Sequence, residues 1–133
     1  MTYLYAYLSV LLLFLPADFA WLGTMTSRLY RPTLGDILLD KVSIAPAIVF
    51  YLAYPMGIVI FAVMPALKSG TLAQAAIYGA LFGAFSYGTY DLTNQATLRN
   101  WSTTLTVVDM AWGSVLGAFA AAGAFWIVGK LAQ

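Results

Sequence analysis

Five aspartates, Asp18, Asp36, Asp40, Asp91 and Asp109, are the only acidic side chains in this 133-residue chain, and Asp18, Asp91 and Asp109 stand within or against long apolar runs. An ionised Asp at the centre of a helix in lipid costs on the order of 2.5 to 3.5 kcal/mol on insertion scales, so such a residue turns toward a bundle interior and has a partner or a function. Paired carboxyl groups can divide acid and base roles when their surroundings push their proton affinities apart. Asp91, Asp109 and Asp18 are therefore the candidate catalytic residues. The chain holds neither Cys nor His, which removes thiol nucleophiles, disulfides, imidazole bases and the usual zinc, copper and haem ligands. No metal site and no cofactor is expected.

Spacing supports the same focus. Gly83, Tyr87, Tyr90, Asp91 and Asn94 recur at intervals of three and four, so on a helix they share a face, and Asp109, Trp112, Gly113 and Gly117 do likewise. Gly79 with Gly83, and Gly113 with Gly117, form small-residue stripes suited to close backbone approach. If the two stripes meet, Asp91 comes near Asp109; the same stripes would also serve a homodimer. Asp18 and Trp21 repeat the Asp-x-Ala-Trp word found at Asp109 to Trp112, a weak internal echo. Trp21, Tyr87, Tyr90, Asn94, Arg99, Trp101 and Trp112 complete the candidate ligand contacts. Aromatic walls and one to three carboxylates suit an amphiphile, such as a membrane lipid, with a cationic or hydroxylated head. The competing structural reading is a polar clamp in which these side chains tie helix ends together.

The elements that position these residues follow from composition. With 62% hydrophobic and 8% charged residues, the chain reads as an integral membrane protein. A span needs about 20 mostly apolar residues, and four runs qualify, at about 3–24, 43–66, 72–94 and 104–129. The expected fold class is all-α: one transmembrane domain over 1–133, a four-helix bundle running up-down-up-down. Residues 25–42 form the long connection, where Leu34, Ile37 and Leu38 recur at helical spacing and Thr33 with Asp36, after Pro32, resembles a capping box. A short interfacial segment is expected there. Pro16 should weaken the first helix beside Asp18, and Pro55 should bend the second. Met1 to Tyr5 carry no basic leader, so no removable signal peptide is expected.

At 1.5 Å per residue, Asp18 lies about 6 Å from the middle of its span, Asp109 about 10 Å and Asp91 about 13 Å, all toward one side. Asp109 lies near a helix start, where exposed N–H groups favour an acid. Asp18 and Asp91 lie in the C-terminal parts of their helices and should need Arg28, Arg31, Lys41, Arg99, a hydroxyl donor or a bound ligand. Arg28, Arg31, Lys41 and Arg99 fall on one face and Lys68 and Lys130 on the other, so the positive-inside bias puts the acidic side in the cytoplasmic leaflet and both termini on the non-cytoplasmic side. No basic cluster suggests nucleic acid.

The run YGTYDLTNQATLRNW from Tyr87 to Trp101, with PADFAWLG, APAIVFYLAYPMG and VVDMAWG, resembles the bacterial small membrane protein family domain of unknown function 2177 (DUF2177) over nearly the whole chain. The resemblance implies a four-helix inner-membrane protein and carries no activity with it, so whether the chain is an enzyme stays open. Three functions are compatible with the residues. The first is a lipid-associated enzyme or subunit working through Asp91 and Asp109. The second is a dimeric proton-coupled transporter working through Asp18, on the plan of small multidrug-resistance proteins, which place a Glu in that helix. The third is a scaffold that uses the glycine faces. An intramembrane aspartyl protease is disfavoured, because no GxGD word surrounds Asp109.

Overall fold

A computed structural model describes residues 1–132, and these form four helices: α1 Thr2–Ile37, α2 Ile44–Ser69, α3 Leu72–Thr97 and α4 Thr103–Leu131. Helices α1, α2 and α4 are long and apolar enough to cross a membrane. Helix α3 has comparable length, 26 residues or about 39 Å at 1.5 Å per residue, yet is not among them. Its C-terminal half carries Thr89, Asp91, Thr93, Asn94, Gln95 and Thr97. The exposed threonines nevertheless hide their hydroxyl groups by bonding back to the helix: Thr89 donates to the Phe85 carbonyl at 2.7 Å, Thr97 to the Thr93 carbonyl at 2.9 Å, and Thr93 to the Thr89 carbonyl. The helix is polar in sequence and much less so at its surface.

The long connection expected at 25–42 is shorter, because α1 does not stop near Thr24. It continues through a π turn at Thr26–Tyr30 and an α turn at Arg31–Leu34, and ends in a 3₁₀ turn at Gly35–Ile37. The physical reason lies in Pro32, which has no N–H to give to an α-helical partner. In the wide turn before it, the Arg31 N–H reaches back to the Thr26 carbonyl. Thr33 is thus inside helical structure and caps nothing, and the Thr33–Asp36 capping box does not form. Gly35, at φ +59° and ψ −122°, closes the α turn and opens the 3₁₀ turn with a backbone that a Cβ would strain. Helix α1 runs unbroken through Pro16, and in α2 a second π turn, Val59–Val63, lies between Pro55 and Pro65.

Without a hydrophobic force between helices in lipid, tight packing must hold the bundle. Phe14 and Val10 of α1, Ile58, Val59 and Val63 of α2, and Leu116 of α4 are fully buried, with Ala6, Ala62, Ala120, Ala121 and Ala124 filling the gaps between larger side chains. The closest approach joins α3 to α4. A Cβ on Gly79 would land on the Gly117 carbonyl, and a Cβ on Gly83 on the Gly113 carbonyl. The order of these pairs makes the two helices antiparallel. Their glycine stripes are used up inside the chain. Opposite, a Cβ on Gly57 of α2 would come within 2.7 Å of the Phe82 ring, so α2 also seats on α3 through a glycine.

Backbone cannot retreat as a flexible side chain can, so enlarging Gly83 must push α3 off α4. Gly83→Leu is expected to cost about 1–3 kcal/mol or more, as overpacking typically does, seen as a lower midpoint in detergent-solubilised thermal unfolding followed by circular dichroism. Gly129→Ala, whose new methyl would meet nothing within 4 Å, should leave the midpoint unchanged or slightly raised.

Candidate functional site

The three intramembrane aspartates gather toward one end of the bundle, Asp18 from the middle of α1, Asp91 from the C-terminal part of α3 and Asp109 from the start of α4. Asp18 on α1 is 5% exposed and fully supplied: Tyr51 Oη of α2 donates to Oδ2 at 2.6 Å, and Trp112 Nε1 of α4 donates to Oδ1 at 3.1 Å. Of the partners considered from sequence, it is a hydroxyl donor, Tyr51, and not a basic residue that holds Asp18, with the Trp112 indole as a second neutral donor. Trp112 stacks on Trp21 with ring centroids 4.5 Å apart and planes 4° from parallel. Trp21 Nε1 then donates to Tyr30 Oη at 2.8 Å, and Tyr30 Oη donates to Asp109 Oδ1. A continuous polar seam therefore links α2, α1 and α4 through side chains that are otherwise aromatic.

The π turn is what delivers Tyr30. Had α1 ended near Thr24, this hydroxyl would not stand over Asp109, which is itself buried in the second turn of α4. The start of α4 is fixed locally by Ser102, whose Oγ accepts from the Leu105 N–H at 3.0 Å. On α3, the close glycine contact seats the Tyr87 ring directly over Gly113, where a Cβ would strike it. One turn further along, Asp91 lies beside Asp109, near enough for the two carboxyl groups to interact directly.

Asp91 is the anomaly. Its residue exposure is 0%, and neither Oδ1 nor Oδ2 has a hydrogen-bond partner. Among the described residues the only other fully buried side-chain polar atom without a partner is Tyr54 Oη. Unpaired buried charge costs several kcal/mol, and two facing carboxyl groups repel unless a proton or a cation lies between them. The backbone around Asp91 is better served: Thr106 Oγ1 lies 3.5 Å from the Asp91 carbonyl and accepts from Trp101 Nε1 at 3.1 Å.

At the same end of the bundle, lined by Tyr90 and Asn94 on either side of Asp91 in sequence but not by Asp91 or Asp109, lies a cleft of about 740 Å³. Leu34, Asp36, Ile37 and Leu38 from the end of α1 form one wall, and Tyr90, Asn94, Thr97, Leu98, Arg99, Asn100 and Trp101 form the other. Tyr90 and Trp101 meet edge to face with centroids 5.4 Å apart. Asn100 adopts φ +70°, a conformation its short amide tolerates, and donates from Nδ2 to the Leu34 carbonyl at 3.3 Å, tying the α3–α4 loop to the end of α1.

The residues singled out from sequence thus divide into two groups. Trp21, Tyr87 and Trp112 belong to the inner seam with Asp18 and Asp109, whereas Tyr90, Asn94, Arg99 and Trp101 line the outer cleft; Asp91 adjoins both, through Asp109 and through Thr106 with Trp101. Tyr30, Tyr51 and Thr106 were not apparent as site residues. Tyr51 and Tyr54, three apart on an otherwise apolar helix, carried a signal of a shared polar edge; Tyr30 carried none while its segment read as a connection. No group of three or more acidic residues stands ready for a metal ion among the described residues.

A family model described as a predicted membrane protein (DUF2177) matches residues 3–126, and the chain belongs to that family. Comparison with curated proteins and with solved structures found no match.

The two donors on Asp18 set an energetic expectation. Tyr51→Phe keeps the ring and removes one of them, and is expected to lower stability by about 1–3 kcal/mol. Asp18→Leu combined with Tyr51→Phe should cost less than the sum of the single changes. Equilibrium unfolding of all three variants in one detergent checks the coupling.

Proposed function

We propose that this DUF2177 membrane protein binds an amphiphile, its polar head in the cleft between the end of α1 and the α3–α4 loop and its chains along the lipid-facing helices. The observation that carries the reading is the composition of that cleft. Its volume of about 740 Å³ lies in the range of small-molecule sites, about 300–1,000 Å³. Leucine, isoleucine and aromatic walls are joined there by Arg99, Asp36, Asn94 and Asn100, and the buried carboxyl group of Asp91 is carried on α3 between the lining residues Tyr90 and Asn94. A purely structural clamp would satisfy its own polar atoms.

In this reading all four helices span the bacterial inner membrane in an up-down-up-down course. Helix α3 is included because its exposed hydroxyls are internally bonded. Arg28, Arg31, Lys41 and Arg99 mark the cytoplasmic end, so the cleft opens at the cytoplasmic leaflet, where a membrane amphiphile presents its head. Proton-coupled transport through Asp18 fits less well, because both Asp18 oxygens are already held by Tyr51 and Trp112. A scaffold that pairs through the glycine stripes also fits less well, since those stripes are buried between α3 and α4.

Native mass spectrometry of the purified chain titrated with phospholipid tests the reading. Trp101→Ala and Arg99→Ala should each weaken retention on the order of tenfold, equivalent to about 1.4 kcal/mol. Trp126→Ala, at an exposed position near the far end of α4, should not. Equal retention by all four proteins would contradict the proposal.

A further inference from the structure

We infer that Asp91 carries a proton at neutral pH and gives it to Asp109 in a hydrogen bond, so that one shared proton latches the C-terminal part of α3 onto the start of α4. The inference does not depend on what the cleft binds. It starts from the surroundings of Asp91. The side chain is fully buried, and no hydroxyl, amide or ring N–H among the described residues donates to either of its oxygens. The group against it is the carboxyl of Asp109, itself 5% exposed. Ionised carboxylates only accept hydrogen bonds, whereas a protonated one has an O–H to donate. Two carboxyl groups in contact therefore bond only when a proton lies between them.

Among the described residues no basic side chain neutralises the pair. Arg28, Arg31, Lys41 and Arg99, at this end of the bundle, are all exposed, while Lys68 and Lys130 belong to the last turns of α2 and α4, at the other end. The titratable groups around the pair are phenols, uncharged at neutral pH. Tyr30 faces it from α1 and Tyr87 and Tyr90 from α3, and α2 presents Tyr54 beside Tyr87 and Tyr51 bonded to Asp18. A proton is what remains to relieve the repulsion between the two carboxyl groups.

The donors decide which aspartate holds it. Asp18 accepts from two neutral donors, Tyr51 and Trp112, and Asp109 accepts from one, Tyr30. With the proton on Asp91, Asp109 gains its second donor and the two charged aspartates are served alike. With the proton on Asp109, Asp91 would be a buried charge with that proton as its sole donor. Asp91 also lies in the C-terminal half of its helix, where the dipole disfavours negative charge, and Asp109 lies near the start of its own. The open carbonyl oxygen left on a neutral Asp91 costs less than an open charge. Loss of the proton would set two negative charges together just beyond the glycine contact, on the stretch of α3 that carries Tyr90 and Asn94 into the cleft wall. The proton thus holds that wall in place.

Linkage supplies the test. An aspartate in the unfolded chain is ionised above about pH 5, so the folded state binds one proton more than the unfolded one and stability falls as pH rises. The chain has no His, Glu or Cys, so no other side chain changes charge between about pH 5 and about pH 7. Urea unfolding of the full chain in a non-ionic detergent should give an unfolding equilibrium constant that rises about tenfold per pH unit across this window, equivalent to about 1.4 kcal/mol per unit. Asp91→Asn, whose amide N–H offers Asp109 a donor that does not titrate, should flatten the profile. Infrared spectroscopy of the unaltered chain, which needs no variant, should show the C=O stretch of one protonated carboxyl group at neutral pH. A flat profile in the unaltered chain, an equal slope in Asp91→Asn, or a spectrum without that band would each overturn the latch. A rise of about a hundredfold per pH unit would overturn the single shared proton.

Discussion

Helices α3 and α4 touch backbone to backbone, and the placement of every polar group at the site descends from that contact. With Gly79 against Gly117 and Gly83 against Gly113, no side chain separates the two helices over this stretch. The same register sets the order of side chains toward the polar end. Tyr87 covers Gly113, and Asp91, one turn on, comes beside Asp109. In a membrane the gain from such an approach is dispersion between closely fitted surfaces, since lipid tails are as apolar as leucine and supply no hydrophobic drive. Larger residues at these four positions would part the helices and separate the carboxyl groups together.

Within this close packing, the three buried aspartates face the same desolvation cost and meet it differently. Asp18 has a phenol and an indole, Asp109 has a phenol, and Asp91 has nothing. The gradation runs from interior seam to cleft. Side chains that only hold a structure together tend to end fully bonded, because an unmatched polar group in a low-dielectric interior is expensive. Functional sites are where polar atoms are left open for a ligand to satisfy. Stacked Trp21 and Trp112 contribute by filling the space between Asp18 and Tyr30 with rigid surface, so that the donors are held in place by packing as well as by their hydrogen bonds.

Much of this was legible from residue types and intervals. Apolar runs announced the helices, and the four-residue spacing of glycines announced which faces permit close approach. Tyr90, Asp91 and Asn94 on one helix and Asp109 on the next sat on periodicities that pointed to one end of the bundle. Less legible was anything that depended on a departure from α-helical regularity. Leu34, Ile37 and Leu38 marked helix at the end of the segment, but the π turn at Thr26–Tyr30 shifts α1 out of 3.6-residue phase, so its continuity with the first span and the placing of Tyr30 over Asp109 had no periodic signature. Partner identity was equally hidden: a carboxyl in a helix C-terminal half announces a need for a donor, and only the packing of α2 against α1 shows that Tyr51 meets it in place of an arginine. Helix α3 shows the converse, since its sequence polarity overstates the polarity of its surface once Thr89, Thr93 and Thr97 bond to their own helix.

The central claim is that the glycine contact brings the Asp91 and Asp109 side chains face to face within one chain. Because the protein contains no cysteine, Asp91→Cys with Asp109→Cys gives a single thiol pair with no background. On oxidation, or with a short bifunctional thiol reagent, this variant is predicted to cross-link within the monomer rapidly and nearly completely, as read by mass spectrometry of the membrane-extracted chain. Thiols that stay free under those conditions, or that link only between two chains, would contradict the account.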